Sequence, residues 1–393
     1  MNILIVSQIY YPQKEGGAER VARHTADMLH RHGHRVNILA LCHKTQGPPA
    51  DITANIPVYR LPYTQDVLPG TGPMNMPPLQ KLRWHMHNAY GGVKAGPMGQ
   101  LLDQIRPDVI YEHNSRLLHP RLARAARARG IPTVVHLHDY GWICPRNSMI
   151  RKGRNCATPC MDCTGLTRAW RQNIQPRSVI AVSDFVKARY QQAGVFPDAQ
   201  WHVLRNASPL NPKGPPARGG PRRFGFIGAL APDKGITDVL QAFAALNAPQ
   251  SELVVAGSGA AAYTKGLHSL CQDLGITRQV HWLGHVPQDA FYTQVECVVV
   301  PSLWHEPQSL VLGESLSRGI PLIASDRGGN TEVITSANAG LLFEPNRPGD
   351  LTGALRQMMQ GDMPPLALDS RGVLPTPAEF EDRLVQIITK GVA

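Results

Sequence analysis

No run of about 18 apolar residues occurs in this chain, so no membrane-spanning helix is expected. The opening MNILIVSQIYYP is apolar but lacks a basic leader and a long hydrophobic stretch. It reads as a first strand rather than a signal peptide, and the protein is expected in the cytoplasm. Cysteine is scarce and odd in number, at seven. Without an export signal, that count argues against a disulfide framework. Acidic residues are thin in the first half: residues 1–210 hold 12 Asp and Glu against 26 Lys and Arg, a balance of +14. Residues 211–393 hold 17 against 14, a balance of −3. The basic half is either arginine-rich surface without consequence or a face for an anionic partner: lipid headgroups, a lipid diphosphate or nucleic acid. Nucleic acid is the weakest of these, because helix-turn-helix, RRM-like and zinc-finger patterns are missing. The dinucleotide-binding glycine spacing is also absent, which disfavours NAD.

The 393 residues leave room for two domains of about 150–200 residues each. The most informative stretch is 301–334, PSLWHEPQSLVLGESLSRGIPLIASDRGGNTEVI. Glu306 and Glu314 stand with seven residues between them. Pro307 suits a helix start, since its missing N–H would be unpaired there. The spacing predicts a helix from about Pro307 to Gly319, with Glu306 at its N-terminus and Glu314 about two turns along. A short apolar strand and Arg327-Gly328-Gly329 follow, a loop that lets backbone approach a ligand. Spacing alone also allows an amphipathic helix with two solvated glutamates. The order strand, acid loop, acid helix, strand, glycine loop favours a βαβ unit with polar groups at strand C-terminal ends, where open α/β sheets bind ligands.

The acid pair, Pro307 and Gly328-Gly329-x-x-Glu332 resemble the donor-site signature of retaining glycosyltransferases of family 4. The resemblance extends over nearly the whole chain. It implies an α/β GT-B fold: two Rossmann-like, doubly wound domains facing a central cleft, with a C-terminal helix crossing back to the N-terminal domain. The expected boundaries are an acceptor-binding domain over 1–205 with a Cys-rich insertion at 144–163, and a Pro/Gly-rich linker over 206–222. A donor-binding domain over 223–375 and a returning helix over 376–393 complete the chain, with Phe380, Leu384, Ile387 and Ile388 on one face of that helix.

In the first half, Asn2–Ser7 is a buried-type strand, and Gly16 and Gly17 stand at a helix N-terminus, a plain tight turn or an anion site. By resemblance they lie against the donor diphosphate. Residues 66–98 read as a long loop with a helix around Leu79–Tyr90. The strands Pro107–Asn114 and Pro132–Leu137 end in polar residues. His138 is either a core histidine or, by resemblance, the residue that reaches the transferred sugar, with Asp139 orienting it. Cys144, Cys156, Cys160 and Cys163 then fall within 20 residues. Thiolates suit zinc, and the Cys160–Cys163 spacing is a common chelate. Structural zinc, an iron–sulfur cluster and free or redox-active thiols all remain open.

In the second half, the resemblance assigns Lys234 to the donor diphosphate. The arginine expected beside it is Ala229, and Arg205, Arg222 or Arg327 are the candidates to replace it. Gly228, Gly257 and Gly259 form glycine loops at strand ends, and the backbone near Val286 meets the nucleobase. Glu306 lies near the sugar, Gln308, Ser309 and Leu310 offer backbone N–H groups to it, and Glu314 accepts from the ribose hydroxyls. Gln308-Ser309 replaces the Phe-Gly common in the family. The resemblance thus implies a retaining transferase with His138, Lys234 and Glu306 catalytic. It needs no metal or other cofactor, since no DxD-type motif stands at a suitable strand end.

The implied partners are a UDP- or GDP-sugar and a glycan or lipid-linked acceptor, in surface polysaccharide assembly. The basic half then contacts the inner face of the cytoplasmic membrane, and no nucleic acid is bound. A nucleotide-sugar 2-epimerase of the same fold and a non-catalytic sugar-nucleotide-binding module are the alternatives.

Overall fold

The computed structural model describes residues 1–13, 16–43, 51–53, 55–64, 76–89, 93–151, 153–171, 174–207, 223–361 and 373–392. The Pro/Gly-rich segment 209–221, Arg222 and much of 66–98 lie outside them. The chain divides into two compact units. The first comprises Met1–Met149, Cys156–Arg205 and Ala378–Ala393, and the second Ile150–Asn155 and Asn206–Pro377.

The chain begins β1 (Asn2–Val6), α1 (Gly17–Arg31), β2 (Arg35–Cys42), β3 (Asp51–Thr53), β4 (Ile56–Pro62), α2 (Pro78–Ala89) and α3 (Ala95–Ile105). It continues with β5 (Val109–Glu112), α4 (His119–Arg127), β6 (Thr133–Leu137), the short pair β7 (Ile150–Arg151) and β8 (Arg154–Asn155), and α5 (Met161–Arg171). β9 (Ser178–Ala181), α6 (Asp184–Gln192) and β10 (Gln200–Val203) follow.

The first unit's sheet runs β10-β9-β6-β5-β1-β2-β4-β3, parallel except for β3 against β4. A parallel strand is covered on both faces, so it reads as continuous apolar sequence rather than alternation. Ile3, Leu4, Ile5 and Val6 accordingly have no exposed surface. The N-cap of α6 is Ser183, whose Oγ accepts from the Val186 N–H at 3.3 Å, as its sequence position predicts. The last helix, α13 (Pro377–Val392), belongs almost wholly to this first unit and buries Phe380, Leu384 and Ile388.

The second unit holds β11 (Arg223–Ile227), α7 (Ile236–Leu246), β12 (Glu252–Ala256), α8 (Ala261–Asp273), β13 (Val280–Gly284) and α9 (Gln288–Tyr292). β14 (Cys297–Val300), α10 (Leu310–Leu316), β15 (Leu322–Ser325), α11 (Gly329–Ala337), β16 (Gly340–Phe343) and α12 (Asp350–Gln360) complete it. Its sheet runs β13-β12-β11-β14-β15-β16, all parallel. Strand order reverses between β11 and β14, so loops leaving their C-terminal ends diverge and open a crevice for polar groups. In the first sheet the reversal falls between β1 and β5. Among the described residues no helix is long and apolar enough to cross a membrane.

Candidate functional site

In the second unit, a short turn of 3-10 helix after β11 delivers Lys234, and the loop after β14 delivers Glu306. Lys234 Nζ donates to Glu306 Oε1 at 2.5 Å. The same oxygen accepts from Ser302 Oγ at 2.7 Å and Trp304 Nε1 at 3.1 Å. The ammonium also sits 5.2 Å from the centroid of the Trp304 ring. Burial pulls the Lys234 pKa down, but Glu306, helped by Asp233, more than offsets this and holds it above the ordinary lysine value. The result is a fixed positive charge beside a buried carboxylate at the strand-order reversal.

The helix carrying Glu314 starts later than its sequence suggests: α10 begins at Leu310, not Pro307. Tertiary hydrogen bonds engage the two residues just before it. Gln308 Oε1 accepts from the Asn206 N–H at 2.7 Å, and the Ser309 N–H donates to Asn330 Oδ1 at 2.9 Å. The Ser309 amide, expected to donate toward the sugar, here donates to Asn330. Glu306 lies in the preceding loop, and Glu314 only about one turn into the helix. Both acids are buried, not solvated. Glu314 accepts from Gln288 Nε2 at 2.6 Å and Tyr292 Oη at 2.8 Å, one on each oxygen. Burial first, and the Glu314 charge second, push the Tyr292 phenol far up. A carboxylate has about four lone-pair sites, so Glu314 can accept further hydrogen bonds.

Two glycine positions owe their identity to neighbouring backbone. A Cβ on Gly257, at φ +135°, would stand 1.8 Å from the Gly228 carbonyl oxygen. One on Gly328, at φ +66°, would stand 2.3 Å from the Glu306 carbonyl oxygen. Gly328 thus packs directly on the acid loop, and the Gly329 N–H donates to Glu306 O at 2.8 Å. Gly259 packs against Leu230 O in the same manner. At Gly257 and Gly259 the missing side chains also let neighbouring loops pack on each other. Val286 is half-buried in the loop between β13 and α9. Of the candidates to replace the missing arginine, Arg327 is forked onto Glu344, whose pKa the guanidinium draws down to about 2. Arg205 pairs with Asp184 at 3.1 Å in the first unit.

Sequence reading missed Asn155, at the end of the β7–β8 hairpin. Its Nδ2 donates to Leu303 O at 2.7 Å, and its Oδ1 accepts from the His305 N–H at 3.2 Å. One amide side chain thus brackets the loop that ends in Glu306. Gln288, Tyr292 and Asn330 were also missed, and nothing in their spacing marks them.

In the first unit, β5 and β6 run parallel with their polar ends together. His113 Nδ1 and His138 Nε2 lie 2.8 Å apart with the rings stacked at 6°. His136 Nδ1 lies 2.6 Å from Tyr111 Oη. Burial drives the pKa of His113 and His136 well down and that of His138 to about 3, so all three are neutral at pH 7. One ring nitrogen from each lies within 4.8 Å of the others. The partner of His138 is His113, not Asp139: the Asp139 carboxylate instead accepts the Gly141 N–H at 2.7 Å. Burial raises the Asp139 pKa to about 6, against the opposing pull of Gly141 and Arg116. Glu112 holds Ser115 and His119, at 2.5 and 2.9 Å, which gives it a structural role.

Gly16 caps α1 as expected, but its N–H donates to Glu19 Oε2 at 2.9 Å. A carboxylate of the chain itself occupies that anion position, and a diphosphate there would have to displace it. All seven cysteines are free thiols. Cys160 Sγ and Cys163 Sγ lie 3.1 Å apart, and burial first, then Cys160 and Cys144 nearby, push the Cys163 thiol pKa up.

Residues 16–207 match the family profile described as glycosyl transferase 4-like domain, and residues 208–371 match that of glycosyl transferases group 1. The chain is 25% identical over 336 residues to an uncharacterized 42.6 kDa protein in the cps region of Klebsiella pneumoniae, covering 85% of this chain and 87% of that one. In fold it is similar to sucrose-phosphate synthase from Thermosynechococcus elongatus, with a TM-score of 0.74 at 17% identity, covering 99% and 98% of the two chains. It is also similar to Anabaena HepE in complex with UDP-glucose, with a TM-score of 0.70 at 19% identity, covering 99% of each chain.

Proposed function

We propose, from the premise that this chain belongs to the GT-B glycosyltransferases, its two halves matching the two family profiles in order, that it moves a sugar from a nucleoside diphosphate donor to a hydroxyl with retention at the anomeric carbon. The donor is a UDP- or GDP-sugar and the acceptor a glycan or lipid-linked glycan of surface polysaccharide assembly. The observation that carries this reading is the Lys234–Glu306 pair at the β11–β14 reversal, with Glu314 buried on the next helix. The departing diphosphate gathers negative charge, and a preorganised ammonium stabilises that charge without reorganisation during the step. Lys234 supplies it, and Glu306 keeps it charged and aimed. Glu314 accepts from the ribose. In the first unit, His138, neutral and held by His113, hydrogen-bonds the acceptor rather than carrying charge. A leaving phosphate oxygen takes the acceptor proton as the acceptor attacks on the face the diphosphate leaves. That the UDP-glucose complex belongs to a protein of similar fold supports a uridine donor. The basic first half supports an anionic, lipid-linked acceptor at a membrane surface.

The test is incubation with a panel of UDP- and GDP-sugars and glycan or polyprenyl-diphosphate-glycan acceptors, with the product's anomeric configuration read by NMR. A retained configuration in an acceptor-dependent product supports the reading. Conversion of the donor without acceptor, or inversion, rejects it.

A further inference from the structure

Cys144, Cys156, Cys160 and Cys163, all in the first unit, have no part in the transfer chemistry above, and their placement is specific. Cys144 follows β6 by seven residues and is 3% exposed, while Cys163 lies in the first turn of α5 and is 7% exposed. Cys160 immediately precedes α5, with its sulfur 3.1 Å from that of Cys163. Cys144 interacts with the same Cys163 thiol and helps to raise its pKa. Cys156 is half-buried, and its N–H donates to Met149 O at 2.7 Å, tying the two ends of the β7–β8 excursion together. Cys160 and Cys144 are thus both neighbours of Cys163, and Cys156 stands four residues before Cys160 in the sequence.

We propose that Cys144, Cys156, Cys160 and Cys163 bind one zinc ion that serves as the core of this segment. A disulfide would use two of these sulfurs and leave the converging third unexplained. The 3.1 Å separation is also well beyond a disulfide bond of about 2.05 Å. Tetrahedral zinc with Zn–S distances near 2.3 Å spaces its sulfurs about 3.8 Å apart, so Cys160 and Cys163 open by less than about 1 Å to receive it. Two residues separate Cys160 from Cys163, the spacing of a common chelate at the start of a helix. Binding displaces the thiol protons and leaves a complex of net charge −2 with four thiolates. Positive charge is at hand: the half-buried Arg116 guanidinium interacts with Cys144, and Arg146 stands two residues after Cys144 in the sequence.

The full chain, purified under reducing conditions without added metal, is expected to carry about one equivalent of zinc by elemental analysis. Cobalt substitution should give thiolate-to-metal charge transfer with the intense visible bands of a tetrahedral thiolate site. Cys160→Ser and Cys163→Ser should lose the metal, whereas Cys271→Ser, in the second unit, should keep it. Should the first two variants fail to fold, a mercurial titration of the wild type decides instead, releasing zinc in step with four thiols. Less than about half an equivalent of metal, iron in place of zinc, a Cys160–Cys163 disulfide, or zinc retained in both variants overturns the proposal.

Discussion

Lys234 Nζ stands 2.5 Å from Glu306 Oε1, and the two residues come from loops 72 positions apart in the chain. The pairing holds an ammonium in a site where burial alone would drive it toward neutrality. Replacing Lys234 by alanine removes the charge proposed to meet the departing diphosphate. A drop in kcat of about 10²–10³ is expected, the range for loss of one preorganised donor. Because Glu306 is then left buried beside Ser302 and Trp304 alone, the melting temperature should also fall. The double variant Lys234→Ala with Glu306→Gln should regain stability but not turnover, as melting curves and initial rates on the same preparations will show.

Asn155 brackets the acid loop through Leu303 O and the His305 N–H. With each bond contributing about 1 kcal/mol, Asn155→Ala should loosen the loop and lower kcat/KM by about 10–30-fold. Circular dichroism should be unchanged. Unaltered donor kinetics would show that the bracket has no bearing on the site.

Glu314 offers a separate check, because its oxygens already hold Gln288 and Tyr292. If it also accepts from the ribose, Glu314→Gln should weaken donor binding by about 10–100-fold, the value of a hydrogen bond to a charged group. Tyr292→Phe removes only an internal bond and should leave the donor KM close to wild type. Equal effects of the two changes would confine Glu314 to a packing role.

The histidine stack predicts a pH dependence of stability. His113, His136 and His138 have pKa values depressed by burial, so the folded state binds fewer protons than the unfolded chain below about pH 6.5. Their stabilising effect is complete above that pH and is lost as pH falls toward about 3, where His138 itself protonates. Asp139, raised to about 6, acts in the opposite sense between its unfolded and folded values and offsets part of the slope. Thermal melts from pH 7.5 to pH 4.5 should show a steep loss in the wild type and a shallower one in His136→Gln.

Much of the architecture was legible because parallel strands are apolar on both faces. Ile3–Val6, Val179–Ile180 and Val298–Val300 are marked by composition alone, and the residues just past such runs fall at strand ends. That places Lys234, Glu306 and His138 at strand ends; their functional roles came from the family resemblance, not from the pattern. What was not legible depended on contacts distant in sequence. The start of α10 was misplaced because Asn206 and Asn330, 102 and 21 residues from their partners, override the helix-start preference of Pro307. His113 meets His138 only through the register of β5 on β6. Asn155 reaches Leu303 across 148 positions from a hairpin that has no apolar pattern to announce it.

The most direct test of the account is calorimetric titration of the full chain with UDP-glucose, GDP-mannose and the free diphosphates, repeated on Lys234→Ala and Glu314→Ala. The account predicts saturable binding of one nucleotide class in the wild type. It predicts weaker diphosphate binding in the first variant and weaker binding of both sugar nucleotide and diphosphate in the second, with both proteins still folded. Wild-type affinity in both folded variants would contradict it.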